Sequence, residues 1–426
     1  MKNNLSFADE LRLSTNFTNI NEMKRNLLAS LLALCAMASQ AQETKNSNSV
    51  SPDSVIIEGV ATNMPDSTRF IFFQEGVNAM QETIVKDGKF RIAISQKEKE
   101  STLRLVQFGP TLTIYTEPGK KIKVIGDDTH SANYWHVESD NFEQKEENAY
   151  NQFIKEKLPD YYEAENKLRL LEAKLNEKSM NGTLTPEYQE KVMSEGRALN
   201  QKVATLTKEK YNAAILDYMT SRPFSKRMIN ELFMIATYDH TPAIVEKARE
   251  IFKKIPQEAM NDSQVAETKA KLYAERVKIG EQMKDFTLFD REGKTHQLSE
   301  FKGKYTILEF TWAGCGGCIF VKPFLEEFYK RNKDKAEIVA IYNDKKESWM
   351  KEGQEHKASY HEWSDPEQAS EPVAAYDVHA FPTFVVIDHN GKVLDKKEGA
   401  SGFYEIIKKY IPDAEVEKKL ENARNS

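Results

Sequence analysis

The sequence predicts a three-part chain: a small antiparallel β-domain, an all-α middle and a C-terminal α/β domain. Three observations carry this. Short β-type runs occupy residues 54–128, a stretch rich in Glu, Lys, Ala and Leu occupies 141–279, and strand and helix patterns alternate over 280–412. At 426 residues the chain is long enough for about two to four domains with sizeable cores. The balance of 60 Lys+Arg against 66 Asp+Glu, net −6, offers no basic field for nucleic acid. With 18 Gly and 14 Pro, a fibrous or low-complexity protein is excluded.

Ahead of these parts, residues 24–42 read KRNLLASLLALCAMASQAQ. Lys24 and Arg25 precede an apolar run over 27–38, and Ser39-Gln40-Ala41 places small residues where a signal peptidase reads. This is the layout of a signal peptide near residues 23–41, and its apolar run is too short for a membrane span. Translation is expected to begin at Met23, with residues 1–22 an upstream extension. Leu34 before Cys35 argues against a lipoprotein signal, so Cys35 is expected to leave with the leader. The mature protein then belongs in the periplasm or another extracytoplasmic space, where disulfides persist. Residues 43–53, polar and rich in Ser and Asn, read as a linker.

Seven strands are expected at 55–60, 70–73, 83–85, 90–94, 103–108, 112–116 and 122–125, the spacing of a small antiparallel sandwich or barrel. Asp87-Gly88-Lys89-Phe90 and Glu117-Pro118-Gly119 supply turns. These two patterns resemble the β-domain of unknown function found ahead of thioredoxin modules in secreted bacterial proteins. In the helical stretch, Leu168, Leu171 and Leu175 share one face, and Val192, Leu199, Val203 and Leu206 share another. Asn181-Gly182 and Thr185-Pro186 separate the two as an antiparallel pair. Ordinary packing explains these faces; the sharper alternative is a homodimer or client-docking surface.

In the α/β part, residues 286–289 and 296–298 form a hairpin, and the apolar run 305–310, broken only by Glu309, is a central buried strand. Helical spacing follows over 318–330, then a strand at 337–341. A hairpin joins 384–387 to 392–394 through Asn390-Gly391, and a last helix spans 403–411, with a charged tail to Ser426.

Between the buried strand and the helix lies Cys315-Gly316-Gly317-Cys318. The spacing brings both sulfurs within bonding range across the first helical turn. Cys315, at the helix start, is expected to be exposed and favoured as a thiolate by the unpaired amides; Cys318 lies one turn inside. Cys315 would attack a client disulfide and Cys318 would resolve the mixed disulfide. Two rival readings stay open at this point. Half a zinc site would need two more ligands, but the only other cysteine is Cys35 and no histidine cluster is nearby; a purely structural disulfide closing so short a loop would restrict the unfolded chain little.

The motif and its surroundings resemble the thioredoxin superfamily, in its TlpA/ResA-like secreted branch, over roughly residues 280–411. Glu309, six residues before Cys315, matches the buried carboxylate that takes the proton of the resolving cysteine. Pro323 matches the proline of the active-site helix, and Phe381-Pro382-Thr383 matches the loop whose cis-proline faces the disulfide and binds the client strand. Residues 280–304, including Phe301-Lys302-Gly303-Lys304, look like the lead-in hairpin of TlpA-type proteins. The resemblance implies a thiol–disulfide oxidoreductase acting on protein clients, without cofactor or metal, served by a membrane-bound redox partner. Independently of the family, a carboxylate in an apolar strand is desolvated and can relay protons near neutral pH. Trp312 and Phe381 are expected to form the apolar rim on which a client rests. The chain departs from thioredoxin itself at Gly317, where a proline is usual, and at Thr311 and Gly314, where tryptophans stand; these changes leave redox direction open, with reductase or isomerase favoured. Trp312 also replaces the threonine of peroxiredoxins. His356 and His361 fall on a charged stretch read as exposed, His379 reads as a loop histidine, and Gly303-Lys304 lacks the rest of a phosphate loop. The cross-class alternative is a binding or assembly protein with a passive thioredoxin platform, which would need neither the cysteine pair nor Glu309.

Overall fold

The computed structural model describes residues 52–414 apart from 75–78, 97, 100, 107–108, 302, 356 and 365–369. The expected signal peptide with Cys35, the linker up to residue 51, Lys302, Phe108, His356 and the tail from 415 lie outside the described residues. The chain divides into two compact units, residues 1–227 and 228–426. That division falls inside the helical stretch expected as one region.

In the first unit the strands are β1 (Ser54–Thr62), β2 (Arg69–Gln74), β3 (Ala79–Ile84), β4 (Lys89–Ser95), β5 (Ser101–Val106), β6 (Thr111–Thr116), β7 (Lys121–Asp127) and β8 (His136–Glu138). They form two four-stranded sheets, ordered β4-β1-β7-β8 and β3-β2-β5-β6. In β4, Phe90, Ile92 and Ile94 point inward while Lys89, Arg91 and Ala93 face water, the period-two pattern of a half-buried strand. Phe70, Phe72, Leu103, Leu105, Ile114 and Val124 fill the core. The expected purely antiparallel arrangement needs correction, because β1 pairs in parallel with β7. The sheet also runs past Asp128. A 3₁₀ turn (Ala132–Tyr134) lays the Trp135 ring over Gly126, where any Cβ would collide with it, and β8 then joins the edge.

The helices of this unit are α1 (Phe142–Lys157), α2 (Pro159–Met180), α3 (Pro186–Leu206) and, after a π-turn, α4 (Asn212–Thr220). Asn141 and Thr185 cap α1 and α3 by accepting from Gln144 and Tyr188 amides. Leu168 and Leu175 pack against Val192 and Val203, with Leu171 and Leu199 at the margin, on the faces that the spacing predicts.

Helix α5 (Lys226–Tyr238) crosses the division; α6 (Pro242–Phe252) and α7 (Ser263–Tyr273) follow in the second unit. The sheet strands are β9 (Leu288–Phe289), β10 (Thr295–His296), β11 (Tyr305–Thr311), β12 (Ala336–Tyr342), β13 (His361–Ser364), β14 (Thr383–Ile387) and β15 (Val393–Glu398). The helices are α8 (Gly316–Asn332), α9 (Lys346–Glu355), α10 (Glu371–Ala375) and α11 (Ala400–Tyr410). The seven-stranded order is β10-β9-β13-β12-β11-β14-β15, with β11 parallel to β12 and antiparallel to β14. Alternation along β11 sends Leu308 and Phe310 to one face, with Val339, Ile341 and Trp363, and Ile307 to the other, with Val321, Leu325 and Phe328 of α8. Glu309 follows Ile307 by two residues, so it shares the α8 face. The segment leading into this sheet is stitched on by Val277, whose amide donates to the Ala375 carbonyl at 2.8 Å.

His361 does not lie on an exposed charged stretch. It belongs to β13, which the sequence reading did not expect, and its Nε2 lies 3.3 Å from Glu337 while its ring meets Phe301. Its neighbours Glu362 and Trp363 are buried, which is what makes so polar a tetrapeptide a strand.

Candidate active site around the Cys315–Cys318 disulfide

Strand β11 ends at Thr311, and a turn closed by the Cys315 amide on the Trp312 carbonyl (3.1 Å) leads into α8. Asp344, just beyond β12, accepts from the Ala313 amide at 2.8 Å and holds this turn from the side. Cys315 is the N-cap of α8, its sulfur accepting from the Cys318 amide at 3.1 Å. The two cysteines form a disulfide with their Cα atoms 5.2 Å apart.

Cys315 was expected to be exposed at the helix start. It is instead buried, at 6% exposure against 4% for Cys318. The cover comes from the loop before β14. The Cys315 sulfur lies 3.5 Å from the Phe381 carbonyl oxygen, and a Cβ on Gly317 would stand 3.1 Å from Pro382 Cδ. Gly317 therefore lets the proline approach closely. The Phe381–Pro382 peptide is cis, as the motif implied. Thr383, grouped by sequence with the client-facing residues, is fully buried and donates its hydroxyl to the Ala380 carbonyl at 2.6 Å. It braces the loop from inside. Trp312 is 43% exposed, with its ring laid over Gly314, where a Cβ would collide with it; Ile319 and Phe320 of α8 are exposed as well. Phe381 is half-buried.

Glu309 is 2% exposed. Burial raises its proton affinity, Lys322 opposes the shift and Glu362 and Glu352 reinforce it, so that its pKa is pushed up to about 8. A carboxyl that binds and releases a proton near neutral pH stands on the α8 side of the sheet, the helix that carries Cys318.

Residues 278–405 match the Redoxin family. ResA of Bacillus thuringiensis subsp. konkukian (strain 97-27), a thiol-disulfide oxidoreductase, is 30% identical over 145 residues, covering 32% of this chain and 82% of that protein. The chain belongs to the TlpA/ResA-like branch of the thioredoxin superfamily. ResA of Geobacillus thermodenitrificans (strain NG80-2) is 31% identical over 119 residues, covering 28% and 67%. Among solved structures, the thioredoxin domain of a thiol-disulfide oxidoreductase from Bacteroides vulgatus is 26% identical with a TM-score of 0.30, covering 32% of this chain and 99% of that one. This ResA-like chain is thus a thiol–disulfide oxidoreductase, with its thioredoxin fold in the C-terminal region.

Two features of the second unit escape the sequence reading. The first is a buried charged group: Lys322, Arg291, Glu352, Glu362 and the Tyr342 hydroxyl. Only Lys322 carried a sequence signal, lying four residues after Cys318 and so on the same helical face. The second is His240, Asp377 and His379, whose donor atoms lie within 4.8 Å of one another. Asp377 also accepts from Arg276 at 3.1 Å and has Lys396 at 4.0 Å. With cations already on this carboxylate, the trio pins the segment leading to Pro382, and His379 is part of a built cluster rather than an isolated loop histidine.

Proposed function

We propose that this oxidoreductase is extracytoplasmic and reduces or isomerises disulfides of protein clients, with Cys315 as nucleophile, Cys318 as resolver and Glu309 as proton relay. The Cys315 thiolate attacks a client disulfide, the client S–S bond breaks, and the departing client thiolate takes up a proton. Cys318 then gives its proton to Glu309 and attacks the Cys315 sulfur, breaking the mixed disulfide. The client leaves as a dithiol, having gained two electrons and two protons, and the Cys315–Cys318 disulfide remains for a membrane-held redox partner to reduce. Trp312, Phe381 and the Pro382 loop form the client-facing rim. The observation that carries this reading is a disulfide capping α8 against a cis-proline loop, on the helix faced by a carboxyl buried in the central strand. The basic-then-apolar segment at 24–42 supports an extracytoplasmic site. The same reading keeps three parts: β-domain, helical middle and thioredoxin-like domain.

Cys318→Ser tests it. Expressed in an oxidising compartment, that variant accumulates mixed disulfides between Cys315 and clients, released by a reductant and visible on non-reducing gels. An empty trap, with no insulin-reductase activity in the parent protein, points to the passive platform.

A further inference from the structure

The segment that leads into the cis-proline is gripped from outside the residues that match the family. The match begins at residue 278, yet His240, in the loop between α5 and α6, and Arg276, just after α7, both reach Asp377. His240 Nε2 and Arg276 Nε each lie 3.1 Å from Asp377 Oδ1, and His379 Nε2 lies 3.3 Å from Oδ2. Arg276 is anchored in turn, donating to the Ala236 and Lys271 carbonyls at 3.3 and 3.2 Å. The Tyr238 and His379 rings pack with centroids 5.4 Å apart, and the Val277 amide fastens Ala375 at 2.8 Å. The sheet adds a hold of its own, because Lys396 donates to the Tyr376 and Asp377 carbonyls at 3.3 and 2.7 Å. Burial opposes charge on Asp377, but hydrogen bonds with His240 and His379 hold its carboxyl well below the ordinary carboxylate range. Asp377 and Arg276 therefore stay an ion pair at working pH.

What this grip governs is close by. Two residues after His379, the Phe381 carbonyl oxygen stands 3.5 Å from the Cys315 sulfur. Beyond it the loop is tied down by the Thr383 hydroxyl on the Ala380 carbonyl at 2.6 Å and by the Gly399 amide on the Pro382 carbonyl at 2.8 Å. The loop is thus held on both sides of the disulfide, and on the side before Phe381 the helical segment supplies part of the hold. A seat that must bring a client sulfur onto Cys315 tolerates little displacement. We propose that His240 and Arg276 are positioning residues for the exchange reaction: through Asp377 they let the helical segment at 228–276 set the place of the Phe381–Pro382 loop over Cys315, and hence how tightly a client is seated. This rests on the reading of that loop as client-facing.

His240→Ala is the cleaner test, because His240 is exposed and its removal opens no cavity, whereas Arg276 also braces α5 and α7. In the full oxidised chain, His240→Ala speeds amide hydrogen exchange over residues 376–383 and reduction of the Cys315–Cys318 disulfide by dithiothreitol, each by roughly three- to tenfold, the worth of one hydrogen bond to a charged group. In single turnovers of the reduced chain with insulin, the half-saturating concentration rises by a comparable factor while the limiting rate stays within about twofold of the parent. His240→Gln, which keeps a nitrogen donor beside Asp377, returns each reading towards the parent value. Arg276→Met acts in the same direction and more strongly; should it not fold, His240→Ala decides alone. Unchanged exchange in the loop, or exchange that rises equally across the whole sheet, overturns the proposal. So does a fall in the limiting rate at unchanged half-saturation. The client-facing reading fails separately, when His240→Ala loosens the loop yet leaves the insulin saturation curve where it was.

Discussion

The two β cores of this chain treat polar groups differently. In the N-terminal sandwich the buried polar pair Gln96 and Thr116 is neutral and satisfied: the Thr116 hydroxyl donates to Gln96 Oε1 at 2.6 Å, and Gln96 Nε2 donates to the Thr116 carbonyl at 3.1 Å. The other buried polar residues described there, Gln74 and Ser131, are uncharged too, and the clustered core around them is apolar. The seven-stranded sheet instead buries Glu309 in its central strand, with Lys322, Arg291, Glu352 and Glu362 beside it. Neutral, paired groups cost a core little, whereas buried charges cost several kcal/mol unless well matched. The sheet that carries that cost is the one that holds the disulfide and the proposed proton relay; the sandwich avoids it.

Three substitutions sharpen the contrast. Phe70 is fully buried and makes edge contacts with Phe90 and Trp135, with centroids 4.9 and 5.6 Å apart. Phe70→Ala should destabilise the sandwich by about 3–5 kcal/mol in urea unfolding, with the rate of thiol exchange at Cys315 unchanged. A parallel loss of activity would break the division of labour. Glu309→Gln acts in reverse. The folded chain holds the Glu309 proton from the ordinary pKa of 4.5 up to about 8, so parent stability falls as pH rises through that window. At pH 9 the variant should be more stable than the parent by a few kcal/mol, and the gap should close towards pH 5. Denaturation of the oxidised proteins at both pH values reads this directly; a gap that widens on acidification would refute it. The smallest effect belongs to Gly314→Ala. The added methyl pushes the Trp312 ring off its seat, and client reduction should slow several-fold while stability changes by no more than about 1 kcal/mol.

Much of the active centre is legible because it is local. The cysteine pair, Pro323 inside α8, the cis-proline after Phe381 and the burial of Glu309 all follow from short spacings and from the apolar run around Glu309. What escapes is tertiary. Glu362 meets Lys322 because β13 pairs with β12, and Glu352 because α9 follows β12; β13 itself reads as a polar loop until Trp363 is buried. The burial of Cys315 likewise depends on a loop more than sixty residues away. In the sandwich, alternation located most strands, though β8 went unread and the run expected at 83–85 falls at Ala79–Ile84; no pattern within one strand reports whether its partner runs parallel, and β1 with β7 was the exception.

That exception bears on how the chain assembles. Strand β1 lies in the middle of its sheet, hydrogen-bonded on one side to β4 and on the other to β7. As the polypeptide emerges from its N-terminus, β1 presents an unfinished edge until residues 121–127 arrive to close it. Pairing at such long range is slow, because a large loop must close before any contact rewards it. During that interval Val55, Ile57 and the neighbouring apolar residues are open to pairing with the wrong strand.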